Sequence, residues 1–178
     1  ARAAHVPSDG LVALVIGSGG SARAALYAMH RLGASCILLY NRTYDTAVAL
    51  AEQVPVEWHV EAIPSLASVG ARADHAQLRV VVSNVPAAAT SLSPEQGADI
   101  VLPKELLPAQ SGVAIDMAYG VEHTPLLVLA QMHGWHTVRG IDILLSQAYR
   151  QFRLWTQLPP PCAAIEHEVL PAYAASLP

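Results

Sequence analysis

Leu11 to Ile16 is an unbroken apolar run, and Gly17-Ser18-Gly19-Gly20-Ser21-Ala22-Arg23-Ala24 follows it directly. No other stretch of this 178-residue chain restricts its fold as strongly. A strand without polar alternation is buried on both faces, as the strands of a parallel sheet are. A parallel neighbour requires a crossover, and the alanine-rich segment Ser21–Leu32 predicts one as a helix, with Gly33 placed to stop it. Gly17 permits a tight turn that a Cβ would obstruct, and Gly19 lets backbone approach an anion. Ala22 stands where the usual pattern has a third glycine and is small enough for helix to pack closely on sheet. The helix start then offers unpaired N–H groups and a positive dipole end. Strand, glycine turn and helix together predict a cradle for the pyrophosphate of a dinucleotide. A glycine turn with no ligand is the bland alternative.

The rest of the chain alternates in the same way. Cys36–Tyr40 predicts a second strand. Thr43 is placed to cap a helix carrying Ala47, Leu50, Ala51 and Val54 on one face, and Pro55 ends it. Val56–Ile63 reads as a third strand, 64–78 as a short helix and loop, and Arg79–Asn84 as a strong strand ending in polar residues. The stretch 86–112, rich in Pro, Ala and Ser, reads mostly as loop before a strand at Val113–Met117. Thr124-Pro125 opens a helix with a hydroxyl cap and a proline in the first turn, and Gly134 closes it. Trp135–Arg139 returns to strand. Ile141–Thr156 is the clearest helix, with Ile141, Leu144, Leu145, Ala148, Phe152 and Trp155 at helical spacing. The expected architecture is an α/β, three-layer Rossmann-like fold: an open, mostly parallel sheet with helices on both faces. Residues 1–10 read as a linker, 11–158 as the nucleotide-binding domain and 159–178 as a tail holding one more helix.

Composition narrows the partners. The chain is 53% hydrophobic and 13% charged, with a formal net charge of −4 and no block of Lys or Arg. Nothing in it favours nucleic acid or an anionic membrane surface. No apolar run reaches the roughly 18–20 residues that cross a bilayer, and no signal peptide opens the sequence. A start at Ala1-Arg2 is compatible with a piece excised from something longer. Cys36 and Cys162 make neither a disulfide framework nor a metal pattern, which suits a reducing, cytoplasmic setting. His133 and His136 flank a Gly-Trp turn and read as surface residues, so no metal site is expected.

The end of the second strand selects the dinucleotide. NAD enzymes place an Asp or Glu there for the ribose 2′-hydroxyl, and a carboxylate would repel a 2′-phosphate. This chain has Asn41-Arg42-Thr43 instead. Arg42 has the planar fork that pairs with phosphate and stacks on adenine, and Thr43 adds a hydroxyl. NADP is therefore expected over NAD, the alternative being that Arg42 is a solvated loop charge.

These motifs carry a resemblance. With Ser83-Asn84-Val85-Pro86, with Asp116-Met117-Ala118-Tyr119 followed by Thr124-Pro125-Leu126-Leu127, and with Gly140-Ile141-Asp142-Ile143-Leu144-Leu145-Ser146-Gln147-Ala148, the chain resembles the NADP-binding C-terminal domain of shikimate dehydrogenases from about Gly10 to about Trp155. Tyr40-Asn41-Arg42-Thr43 and Gln151-Phe152-Arg153-Leu154-Trp155-Thr156 are similar to the form of this domain that ends fungal pentafunctional arom polypeptides. The resemblance implies NADPH-dependent, reversible reduction of 3-dehydroshikimate to shikimate in aromatic amino-acid (chorismate) biosynthesis. It implies that Gly17, Ser18, Gly19, Gly20, Ser21, Ala22 and Arg23, with Asn41, Arg42 and Thr43, hold the cofactor. Ser83, Asn84, Val85 and Pro86 would pass near its ribose and nicotinamide, with Gly140 beside the ring. Tyr119 and Gln147 would reach the substrate. The residues alone also allow Gln147 as an ordinary exposed helix residue, Tyr119 as a half-buried loop aromatic, and Asp116 as a strand end capping local N–H groups.

Three departures qualify the pattern. In the resembled family a lysine and an aspartate of a separate N-terminal substrate domain carry the proton chemistry. Lys104, the only lysine here, lies in the Pro-rich loop and does not match that lysine. These residues alone are therefore expected to bind cofactor without turnover, with the acid–base groups upstream on the same polypeptide. A basic residue often follows the family's arginine, whereas Thr46 stands near that place here, and Gly120 follows Tyr119 where many relatives carry Lys or Asn. A non-catalytic alternative is the dehydrogenase-like sensor region of quinate-pathway repressors. The intact glycine turn with Asn41-Arg42-Thr43 argues against it.

Overall fold

A computed structural model describes residues 10–177. All but the last residue of the expected linker 1–10 lies outside them. Six strands form one parallel sheet: β1 (Val12–Ile16), β2 (Cys36–Tyr40), β3 (Val60–Ile63), β4 (Leu78–Ser83), and, beyond a two-stranded ribbon of β5 (Thr90–Ser91) and β6 (Ile100–Val101), β7 (Val113–Asp116) and β8 (His136–Val138). Their order across the sheet is β3-β2-β1-β4-β7-β8, and every pairing is parallel. The chain steps outward from β1 to β3 and then returns to β1's other side. That reversal opens a crevice beyond the carboxyl ends of β1 and β4, where doubly wound sheets bind their ligands.

Alternate residues of β1 explain the two buried faces. Ala13 and Val15 join a core with Ala22, Leu26 and Met29 of α1 (Gly20–Arg31) and Ala47 and Leu50 of α2 (Tyr44–Glu52). Val12, Leu14 and Ile16 point to the opposite core, with Leu126, Leu127 and Leu129 of α3 (Pro125–Met132) and Trp135. Every residue of β1 is buried, so each large one contributes about 1.5–3 kcal/mol and the strand end cannot drift. An expected stop and an expected start operate: Gly33 adopts φ +82° while Ala34 N–H donates to Met29 O (3.1 Å), and Thr124 Oγ1 caps α3 by accepting from Leu127 N–H (3.4 Å).

Three expectations need correction. Val56–Ile63 is not one strand, because Val56–Trp58 form a single 3₁₀ turn, His59 is left-handed (φ 50°), and only Val60–Ile63 pair with β2. Val56 is 89% exposed, an apolar residue with no strand beside it to cover it. The 86–112 loop is less open than expected, since β5 and β6 pair within it. The helical stripe of α4 (Gly140–Thr156) buries Ile141 and Leu145, but Leu144 and Trp155 are 47% and 78% exposed. The tail forms α5 (Cys162–Ser176), whose Tyr173 hydroxyl accepts from Gly120 N–H (3.1 Å) and whose Glu166 accepts from Tyr149 (2.9 Å). No helix among the described residues is long and apolar enough to cross a membrane.

Candidate cofactor site

The first turn has the geometry its glycines foretell. Gly17 adopts φ +101° and donates its N–H to Tyr40 O (2.7 Å), which ties the turn to the end of β2. A Cβ there would come within 2.9 Å of Val85 Cγ1 and 3.4 Å of the Asn84 backbone. At Gly19 and Gly20 a Cβ would meet nothing within 4 Å, so the helix start faces open space. Gly19 is the N-cap of α1, no side chain caps it, and no carboxylate lies in the first turn. The N–H groups and positive dipole end there are left for an external anion. Ala22 is fully buried against the sheet, as its small size predicts. A cavity of about 370 Å³ lies over this turn, lined by Ser18, Gly19, Gly20, Arg23, Thr46 and Gln53 among others. Ser21 is exposed beside it, and Arg23 reaches across α2 to donate to Gln53 Oε1 (2.6 Å).

A second cavity of about 290 Å³ adjoins the end of β2. Asn41, Arg42 and Thr43 line one side, Val85, Pro86 and Ala89 another, and Asp99 with Ile100 a third. Thr43 is the N-cap of α2, but its hydroxyl makes no capping bond, which corrects the expectation. Thr46 uses its own hydroxyl instead, donating to Thr43 O (2.7 Å) and accepting from Asn41 Nδ2 (2.6 Å). The same Oγ1 lies 3.1 Å from Ser18 Oγ, so Thr46 links the two turns. The Arg42 guanidinium forms an ion pair with Asp99, 57 residues away along the chain. Nothing local in the sequence flags Asp99, because only the β5–β6 ribbon carries it to this cavity.

Ser83, Asn84, Val85 and Pro86 run from β4 along the crevice. Asn84 N–H donates to Ile16 O (2.8 Å), and Ser83 pairs in register with Asp116 of β7. Ser83 Oγ, both amide atoms of Asn84 and Asp116 Oδ2 are buried without a hydrogen-bond partner among the described residues. Such orphaned groups are uncommon and are found where a ligand or water completes the bonding. Asp116 Oδ1 accepts from Ala118 N–H (3.0 Å), the local capping the residue types suggested. Burial pushes the Asp116 carboxyl above its ordinary 3.8. The Ala118 N–H pulls the other way, as do the nearby Thr124 and Ser83 hydroxyls, which approach without full hydrogen-bond geometry.

That shift has a definite sign. A carboxyl whose folded pKa is raised contributes stability below its unfolded pKa and loses it as pH climbs through the folded value. Asp116→Asn keeps the Oδ1 acceptor and removes the charge. Its melting temperature should match wild type near pH 3.8 and exceed it increasingly above that value. Parallel melting curves of the two proteins at all pH values from 4 to 8 would show that Asp116 is not the group responsible.

Across the crevice Gly140 opens α4 and lies against the backbone of Met117 and Ala118. Tyr119 is 69% exposed rather than half-buried, and Gln147 is exposed on α4; no hydrogen bond joins the two. The structure thus gathers the first turn, Asn41–Thr43 and Val85–Pro86 around two cavities, while Tyr119 and Gln147 stand outside both. Among the described residues no group of three or more His, Cys, Asp or Glu is placed to hold a metal ion. An uncapped helix start lines one cavity and a solvent-exposed guanidinium the other, and such a donor set suits the phosphate groups of a nucleotide.

Residues 140–170 match the model of the Shikimate 5'-dehydrogenase C-terminal domain. Over 165 residues, 92% of the chain, the sequence is 67% identical to the Pentafunctional AROM polypeptide of Malassezia globosa. The chain spans about a tenth of the length of the curated relatives it matches. The dehydroquinate dehydratase and shikimate dehydrogenase from Schizosaccharomyces pombe AroM superposes with a TM-score of 0.68 at 33% identity, over 90% of this chain and 30% of that one. Shikimate 5-dehydrogenase from Thermus thermophilus, solved in complex with NADP(H) and shikimate, gives 0.67 at 31% identity, over 93% and 55%.

Proposed function

We propose that the chain is the C-terminal, NADP-binding half of a shikimate dehydrogenase that interconverts 3-dehydroshikimate and shikimate within a multifunctional polypeptide. One observation carries the cofactor assignment. A guanidinium at the end of β2 and an uncapped helix start after β1 line adjoining cavities linked through Thr46. A carboxylate at the end of β2, which a 2′-hydroxyl would favour, is absent from Asn41-Arg42-Thr43.

In this reading the N–H groups at Gly19, Gly20 and Ser21 take the pyrophosphate, and Arg42 with Thr43 takes the 2′-phosphate. Ser83 to Pro86 run past the ribose and nicotinamide, with Gly140 beside the ring. Tyr119 and Gln147 orient the substrate from the open side of the crevice. A reduced nicotinamide held there would supply a hydride to the substrate carbonyl carbon, and the carbonyl oxygen would need a proton to become the alcohol. Lys104 does not serve, since it is exposed in the loop after β6 and lines neither cavity. The proton donor belongs to a substrate domain elsewhere in the full protein. Both solved structures above are named for shikimate dehydrogenases, and no specific feature of the site favours the sensor reading.

The test separates binding from turnover. The 178 residues should bind NADPH in a calorimetric titration, more tightly than NADH, and should not reduce NADP in the presence of shikimate; the full natural chain should do both. Turnover by the 178 residues would overturn the placement of the acid–base groups, and failure of the full chain to bind NADPH would overturn the cofactor.

A further inference from the structure

We propose that Asp99 is a resident competitor for Arg42: its carboxylate occupies the guanidinium that the 2′-phosphate needs, and so sets how strongly this domain prefers NADPH over NADH. The proposal rests on the reading that Arg42 takes that phosphate.

Asp99 is not a charge on a free loop. It precedes β6, whose Ile100 is 3% exposed and pairs with Thr90 of β5, and Leu102 N–H donates to Ser91 O (2.8 Å). Thr90 Oγ1 in turn donates to Ala87 O (3.0 Å), holding the loop that carries Pro86 and Ala89 along the same cavity. The ribbon therefore fixes the backbone behind Asp99 opposite Asn41-Arg42-Thr43, and the carboxylate forms one wall of the cavity. Its side chain is 53% exposed and that of Arg42 is 62% exposed. An ion pair so open to solvent is weak. A phosphate monoester carries nearly two negative charges and meets the guanidinium fork with two hydrogen bonds, so it can displace the carboxylate.

Displacement does not remove the charge. Asp99 remains in the wall facing the phosphate, and Thr46, which bonds to Asn41 beside Arg42, is neutral and already committed to Asn41, Thr43 and Ser18. Arg42 thus answers two anions with one charge. NADH brings a 2′-hydroxyl instead, which neither competes for the fork nor repels the carboxylate.

The experiment measures NADPH and NADH dissociation constants for the full natural chain and for Asp99→Asn, Asp99→Ser and Arg42→Ala, with circular dichroism to establish folding. Both Asp99 variants should tighten NADPH by roughly three- to tenfold and change NADH by less than about twofold. Unchanged or weaker NADPH binding in the folded Asp99 variants would overturn the inference and make Asp99 an organiser of Arg42. Equal tightening of both dinucleotides would overturn it too. If Arg42→Ala leaves NADPH binding intact, the underlying cofactor reading fails instead.

Discussion

Replacing Arg42 with alanine is expected to weaken NADPH binding by about 1–3 kcal/mol, a factor of roughly 5 to 150 in Kd, and to leave NADH binding almost unchanged. The asymmetry follows from where Arg42 stands. Its neighbours in the cavity are Asn41, Thr43, Val85, Pro86, Ala89, Asp99 and Ile100, and among the described residues no other cation lines that space. Removing the guanidinium leaves Asp99 as the one charged group among the described residues lining that cavity, which places the expected loss toward the upper end. Arg42→Lys keeps a charge but loses the planar fork, so it should recover only part of the affinity. The readout is a pair of titrations with the two dinucleotides on each variant. Equal losses for NADPH and NADH would mean that Arg42 supports the turn's structure and does not read the phosphate.

The sequence makes the cradle legible because its causes are local. Gly17, Gly19 and Ala22 each answer a steric demand set within a few residues, and Leu11–Ile16 declares a doubly buried strand by having no polar alternation. What it hides depends on partners far along the chain. Val56 is as apolar as a strand residue, but pairing with β2 begins only at Val60, after the left-handed His59. Thr43 has the right hydroxyl for a cap, yet Asn41 and Thr46 both bond to its carbonyl and Thr46 carries the linking role. The period of α4 marks one apolar face without saying how much of it is covered, and Trp155 remains exposed. Asp99 is the sharpest case, because its meeting with Arg42 exists only through the pairing of two-residue strands. Local sequence thus specifies how the first turn is built, whereas tertiary pairing decides what stands opposite Arg42.

Gly140→Ala is expected to be the most damaging small substitution in the crevice. A Cβ at this position would lie 2.3 Å from Ala118 O and 2.7 Å from both Ala118 C and Met117 O. All three are backbone atoms, so no side chain can swing aside. Both partners are also braced. Arg139 N–H and its guanidinium bond to Asp142 (3.0–3.1 Å) and fix the start of α4, while Asp116 Oδ1 holds Ala118 N–H (3.0 Å). Relief requires α4 and the strand end to part, at a cost of about 1–3 kcal/mol or more and a fall of roughly 4–10 °C in the domain's melting temperature. Tyr119 and Gln147 lie on the two sides of that contact, so the proposed substrate contacts should suffer with it: shikimate KM in the full natural chain should rise more than the NADPH Kd. Gly20→Ala is the internal control. It also places a methyl group near the first residue of a helix, but nothing lies within 4 Å of it, and its melting temperature should be unchanged or slightly higher. If the two alanine variants melt together, the contact between Gly140 and Ala118 is looser than these distances require, and the placement of Tyr119 and Gln147 about one crevice loses its structural basis.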